Sequence, residues 1–107
     1  MPVSPLPKRL KEAREAARLS QKSLGVEAGI DEFSASARMN QYETGKHTPD
    51  FLILKKIASI LKLPVAYFYA ETDELAHVIK LFDRLKKVQR GSVLATLEQL
   101  SGYKTGE

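Results

Sequence analysis

An all-α fold follows from three features of this 107-residue chain. Apolar residues recur three and four apart in one block after another, the period of a helix face rather than of a strand. Helix punctuation separates the blocks: Ser20 and the run Thr48-Pro49-Asp50 offer starts, Gly29 and Gly45 offer ends. No stretch alternates apolar and polar residues over the length of a strand. The spacing predicts five helices within residues 1–70 and two more in a C-terminal extension, residues 71–107, that covers the core or forms a dimer.

Pro2, Pro5 and Pro7 make the first residues an extended arm, and Pro7 also suits a helix's first turn. Helix 1 follows to Arg18, burying Leu6, Leu10, Ala13 and Ala17 and leaving Lys8, Arg9, Lys11, Glu12 and Glu15 to solvent. Ser20 caps helix 2, Gln21 to Ala28, because its hydroxyl can accept from an orphan backbone N–H. Gly25 lies mid-helix, at a cost of about 1 kcal/mol against Ala, so a close helix–helix approach is expected there. Gly29 permits the positive φ that ends the helix. Helix 3 closes at Gly45. Thr48-Pro49-Asp50 supplies a cap and a first-turn proline for helix 4, FLILKKIASILK, with Leu54, Ile57, Ala58 and Leu61 on one face. Leu63-Pro64 starts a short helix 5, VAYFYA, whose aromatics read as core and rim. Helix 6 spans residues 73–88 with a stripe from Leu75 to Val88. Gly91-Ser92 breaks and recaps, helix 7 covers 93–100, and the tail SGYKTGE reads as frayed.

Composition narrows the function classes. Apolar content of 43% and charged content of 28% are those of an ordinary globular domain. The chain has no Cys, which removes disulfides, thiolate metal sites and thiol nucleophiles, and fits a cytoplasmic setting. No apolar run approaches a membrane span of about 20 residues, and MPVSPLPKRL has no apolar signal region. Net charge is +4, and all of the excess lies in residues 1–70, which hold 11 Lys+Arg against 7 Asp+Glu. Such an excess favours polyanions, weakly. His47 and His77 are isolated, Asp73 with His77 reads as a solvated pair one turn apart, and there is no phosphate-cradling glycine loop. No enzyme, cofactor or metal is expected.

Two short helices joined at Gly29, with a third closing the core, describe a helix-turn-helix. The runs SQKSLGVEAGI, NQYETGKHTPD and LKKIASILKLPVAYFY, in this order, resemble the Cro and phage-repressor (Xre) family over residues 6–69. The resemblance implies a compact five-helix domain that binds operator DNA, usually as a dimer, with helix 3 in the major groove. It implies that Gln21 bonds a DNA phosphate and braces helix 3. It also implies that Arg14 and Glu43 form a partly buried salt bridge, a scaffold rather than a reader. Lys46 and, more weakly, Thr44 fall where the family passes the DNA backbone. A bacterial or phage-encoded regulator is the corresponding expectation.

One departure stands out. Typical members place about ten residues between the turn Gly and the helix-3 Glu, whereas Gly29 to Glu43 here is fourteen. Anchoring helix 3 on the turn would make Glu32, Phe33 and Ala37 the readers and drive Arg38 into the core, at several kcal/mol. Anchoring it on Glu43 buries Ala35, Met39 and Tyr42, and is preferred. Ser36, Ala37 and Gln41 then face the groove, flanked by Arg38 and Asn40. Gln pairs with adenine, Arg with guanine, and Ala can touch a thymine methyl. The four extra residues either lengthen helix 3 backwards by about one turn, which we favour, or form a wider loop before a cap at Ser34. In the longer helix Phe33 lies on the same side as Ser36 and Ala37, within reach of DNA or a partner, but is expected instead to pack on the end of helix 2, and acidic Asp31 and Glu32 to tilt away from phosphates.

The leading functional expectation is a sequence-specific DNA-binding regulator acting as a homodimer on double-stranded DNA. The alternative is a protein-interaction module, antitoxin-like, that binds a partner through the neutral, apolar C-terminal helices.

Overall fold

A computed structural model describes residues 3–103. Six α-helices and one 3₁₀ helix make up these residues: α1 Leu6–Ala16, α2 Gln21–Glu27, α3 Ala35–Thr44, α4 Phe51–Leu61, the 3₁₀ helix Val65–Tyr69, α5 Asp73–Asp83 and α6 Lys87–Ser101. The first five elements correspond to expected helices 1–5, and α5 and α6 to helices 6 and 7.

Leu6, Leu10 and Ala13 of α1 meet Leu24 and Ala28 of α2, Ala35, Met39 and Tyr42 of α3, the Leu54–Leu61 face of α4, and Phe68 in one core. The close approach expected at Gly25 is present: a Cβ there would lie 2.8 Å from Ala35 Cβ and 3.0 Å from the Ala35 carbonyl oxygen. Gly25 therefore sets the α2–α3 distance. Gly29, at φ +91°, then turns the chain towards α3.

Several boundaries differ from expectation for identifiable reasons. Pro5 is helical in conformation at the N-cap, not extended, and Pro2 lies outside the described residues. Ala17 is exposed because α1 ends one residue before it and Arg18 takes positive φ. Arg9, expected in solvent, is buried: its Nε donates to the Ala70 carbonyl (2.7 Å) and its Nη1 reaches Asp73 Oδ1 (3.2 Å). Asp50 caps α4 by accepting from the Ile53 N–H, so Pro49 stands before the cap rather than in the first turn. The VAYFYA helix is 3₁₀, with Phe68 buried, Tyr67 half-buried and Tyr69 exposed.

The C-terminal break is displaced. Gly91 lies inside α6, and the chain bends instead at Arg84–Lys86. Two side chains satisfy the helix ends there. Arg90 donates to the Phe82 and Asp83 carbonyls closing α5 (3.2 and 2.6 Å), and Gln89 Oε1 accepts from the Lys86 N–H opening α6 (2.9 Å). Ser101 is still helical and Gly102 is the left-handed C-cap, while the rest of the expected frayed tail, 104–107, lies outside the described residues.

The two C-terminal helices are sparsely covered. Ala76 is the buried residue of α5, and α6 contributes none. The molecule measures 51 × 34 × 23 Å with a radius of gyration of 16.1 Å. A compact chain of this length has about 13 Å, so the extension projects from the core.

Candidate nucleic-acid interface

The geometry of α3 is fixed from behind. Ala35, Met39 and Tyr42 are buried at spacings of four and three, the register anchored on Glu43. Arg38 accordingly points to solvent. Of the two readings of the extra residues, the backward extension of helix 3 is overturned: Glu32–Ser34 are turn and α3 starts at Ala35. Asp31 explains this. Its carboxylate accepts from the Phe33 N–H (3.0 Å) and its carbonyl from the Ser34 N–H (3.0 Å), which closes a turn before the helix begins. Ser34 holds the N-cap position without a side-chain cap bond. Phe33 does not pack on α2; it is 94% exposed.

A hydrogen-bonded cluster ties α1, α2 and α3 together. Arg14 Nε donates to Glu43 Oε2 at 2.6 Å and its Nη2 to Glu43 Oε1 at 3.1 Å, a bidentate pair whose carboxylate is 2% exposed. Arg14 Nη1 also donates to the Leu19 carbonyl (2.8 Å). The hydrogen bonds that Arg14 donates to Glu43 hold the guanidinium pKa above its ordinary value, outweighing the burial that lowers it. Gln21 opens α2 directly after the Ser20 cap, and its Nε2 donates to Glu43 Oε1 (3.1 Å) and Asn40 Oδ1 (3.2 Å). Gln21 thus braces α3. With both amide hydrogens so directed, a phosphate bond from this side chain requires one of them to be released, and Asn40 is the more exposed partner.

The outer face of α3 carries the remaining sequence-predicted residues. Ser36, Ala37, Arg38, Asn40 and Thr44 are exposed and Gln41 is half-exposed. Asn40, its oxygen engaged by Gln21, offers its amide N–H groups outward as donors. The Thr44 hydroxyl donates back to the Gln41 carbonyl (3.3 Å). Gly45 ends α3 at φ +82°, and the His47 N–H returns to the Gln41 carbonyl (3.2 Å), which folds exposed Lys46 back beside the helix end. Arg9 is the residue that sequence reasoning missed. Its signal was positional, three after Leu6 and four before Ala13, on the edge of the buried stripe. It serves the scaffold rather than this face.

A helix-turn-helix family model matches residues 10–68. The chain belongs to the Cro/C1-type helix-turn-helix family. The match runs from α1 into the 3₁₀ helix and takes in the whole cluster around Glu43. The crystal structure of the transcriptional regulator BswR is similar to this helix-turn-helix protein at 45% identity and a TM-score of 0.80, covering 88% of this chain and 93% of that one. The likeness therefore reaches into the C-terminal helices. No curated protein matches. Among the described residues no helix is long and apolar enough to cross a membrane, and no group of three or more metal-ligating side chains assembles.

Proposed function

We propose that this helix-turn-helix protein is a transcriptional regulator that binds double-stranded DNA with α3 in the major groove. The observation that carries the reading is the outer face of α3, held rigid by the Arg14–Glu43–Gln21 cluster while Ser36, Ala37, Arg38, Asn40 and Gln41 stay accessible. Arg38 and Gln41 suit bidentate base contacts, and Asn40 suits an acceptor edge. Lys46 and Thr44, at the end of the helix, suit the phosphate backbone. The family and the regulator it resembles support the same reading. A DNA target fits a cytoplasmic setting for a bacterial or phage-encoded regulator.

The active species in this reading is a homodimer. An isolated helix of α6's length, 15 residues, is marginal in water without tertiary packing. Yet Leu94 and Leu97 are nearly half-exposed, and Leu75, Val78 and Leu81 of α5 are exposed to a similar degree. Val78, Ile79, Phe82, Leu94 and Leu97 line one apolar groove between the two helices. A second copy covers such a face symmetrically and spaces two α3 helices about one DNA turn, roughly 34 Å, apart. Selection of bound duplexes from a random pool tests both points. Enrichment of a palindrome with half-sites about ten base pairs apart is expected; absence of any enriched sequence contradicts the reading.

A further inference from the structure

We propose that Phe33 is a specificity-determining residue that contacts a thymine 5-methyl group in the major groove. The inference rests on the reading of α3 as the DNA-reading helix. Phe33 is 94% exposed, the highest exposure among the large apolar side chains of the described residues. Its place gives the reason. Ser34 has helical angles, φ −105° and ψ −13°, and its carbonyl accepts the Arg38 N–H, so the chain enters α3 without reversing. Phe33 stands two residues before α3, at the N-terminal end of the helix whose exposed face carries Ala37, Asn40 and Thr44, opposite the buried Ala35, Met39 and Tyr42.

The loop around it is braced. Asp31 holds the Phe33 N–H, and Glu32 pairs with Lys22 of α2 (3.7 Å). Glu32's pairing with Lys22 offsets part of the negative charge that this loop would bring towards DNA. In the major groove an aromatic ring meets base edges, and the apolar group on those edges is the thymine methyl. The four residues inserted before α3 thus extend the reading surface by one position beyond that of Ser36 and Ala37.

The test uses the full chain and the duplex that the wild-type protein enriches from a random pool. Wild type is expected to enrich thymine at one position of each half-site, and Phe33→Ala to lose that preference alone. Replacing this thymine by deoxyuridine removes the methyl and should weaken wild-type binding about fourfold, the worth of one buried methyl, without affecting Phe33→Ala. Phe33→Leu should retain part of the preference. Thermal melting of Phe33→Ala should be unchanged, since the ring touches no core. Equal preference in wild type and Phe33→Ala, or additive effects of the two changes, overturns the role of Phe33 and leaves the regulator reading intact. A change in oligomeric state without a change in base preference assigns the ring to a protein contact and also overturns it. Failure of the wild type to enrich any sequence removes both.

Discussion

One oxygen of Glu43, Oε1, accepts from both Arg14 Nη2 (3.1 Å) and Gln21 Nε2 (3.1 Å), so a single carboxylate joins three helices. Removing it leaves Arg14, only 12% exposed, without its partner. Glu43→Ala should therefore destabilise the fold by about 3 kcal/mol, whereas replacing both Arg14 and Glu43 by apolar residues of similar volume should cost much less. Denaturant unfolding of the single and double variants measures the difference. The raised Arg14 pKa means the contribution of its charge is fully present at neutral pH and is lost as pH rises through the arginine range.

Gly25→Ala sets two effects against each other. Helix propensity gains about 1 kcal/mol, but the new Cβ meets Ala35 Cβ at 2.8 Å and its carbonyl oxygen at 3.0 Å. The oxygen is backbone and cannot rotate away, and overpacking of this kind costs about 1–3 kcal/mol. The clash should win, lowering the melting temperature by several degrees, about 5 °C for each kcal/mol lost. Gly91→Ala, with nothing near its Cβ, should instead be neutral or stabilising.

Arg9 separates buried from exposed partners. Its Nε bond to the Ala70 carbonyl is buried, whereas Asp73, its charged partner, is 80% exposed. Arg9→Ala should cost about 2 kcal/mol through the orphaned carbonyl and lost packing, and Asp73→Ala less than about 0.5 kcal/mol. Comparable losses from the two would show that the ion pair, not the buried bond, holds α5 to α1.

The sequence carried the register of α3 because burying Arg38 was untenable, and Ala35, Met39 and Tyr42 are indeed in the core. Gly25 was legible for a similar reason: a mid-helix glycine needs a neighbour. The loop before α3 was not, since four residues fit one helical turn as well as a turn of another kind. The turn is closed by two local bonds that Asp31 accepts, one at its carboxylate and one at its carbonyl. Gly91 misled because glycine marks a break only where no other pairing offers. Here Arg90 reaches the carbonyls that end α5, so the break falls earlier, at residues with no proline or glycine.

The apolar face of α5 and α6 predicts a solution state. Leu97→Asp, with Leu94→Asp, places charges where the second copy would pack, and removes no buried residue of the monomer. Light scattering should show wild type as a dimer and the double variant as a monomer that melts at a lower temperature, because α6 loses its cover. A wild-type monomer at micromolar concentration would rule out the dimer.

The central claim is that α3 reads base sequence, and the most direct measurement is affinity for the enriched duplex against a scrambled one across a salt series. With about four phosphates neutralised, wild-type affinity for both should fall on the order of a hundredfold between roughly 50 and 200 mM salt, while preference for the enriched duplex persists. Arg38→Ala combined with Gln41→Ala should remain folded and keep the salt dependence, yet lose that preference by on the order of a hundredfold. Equal wild-type affinity for the two duplexes at every salt concentration would contradict the claim.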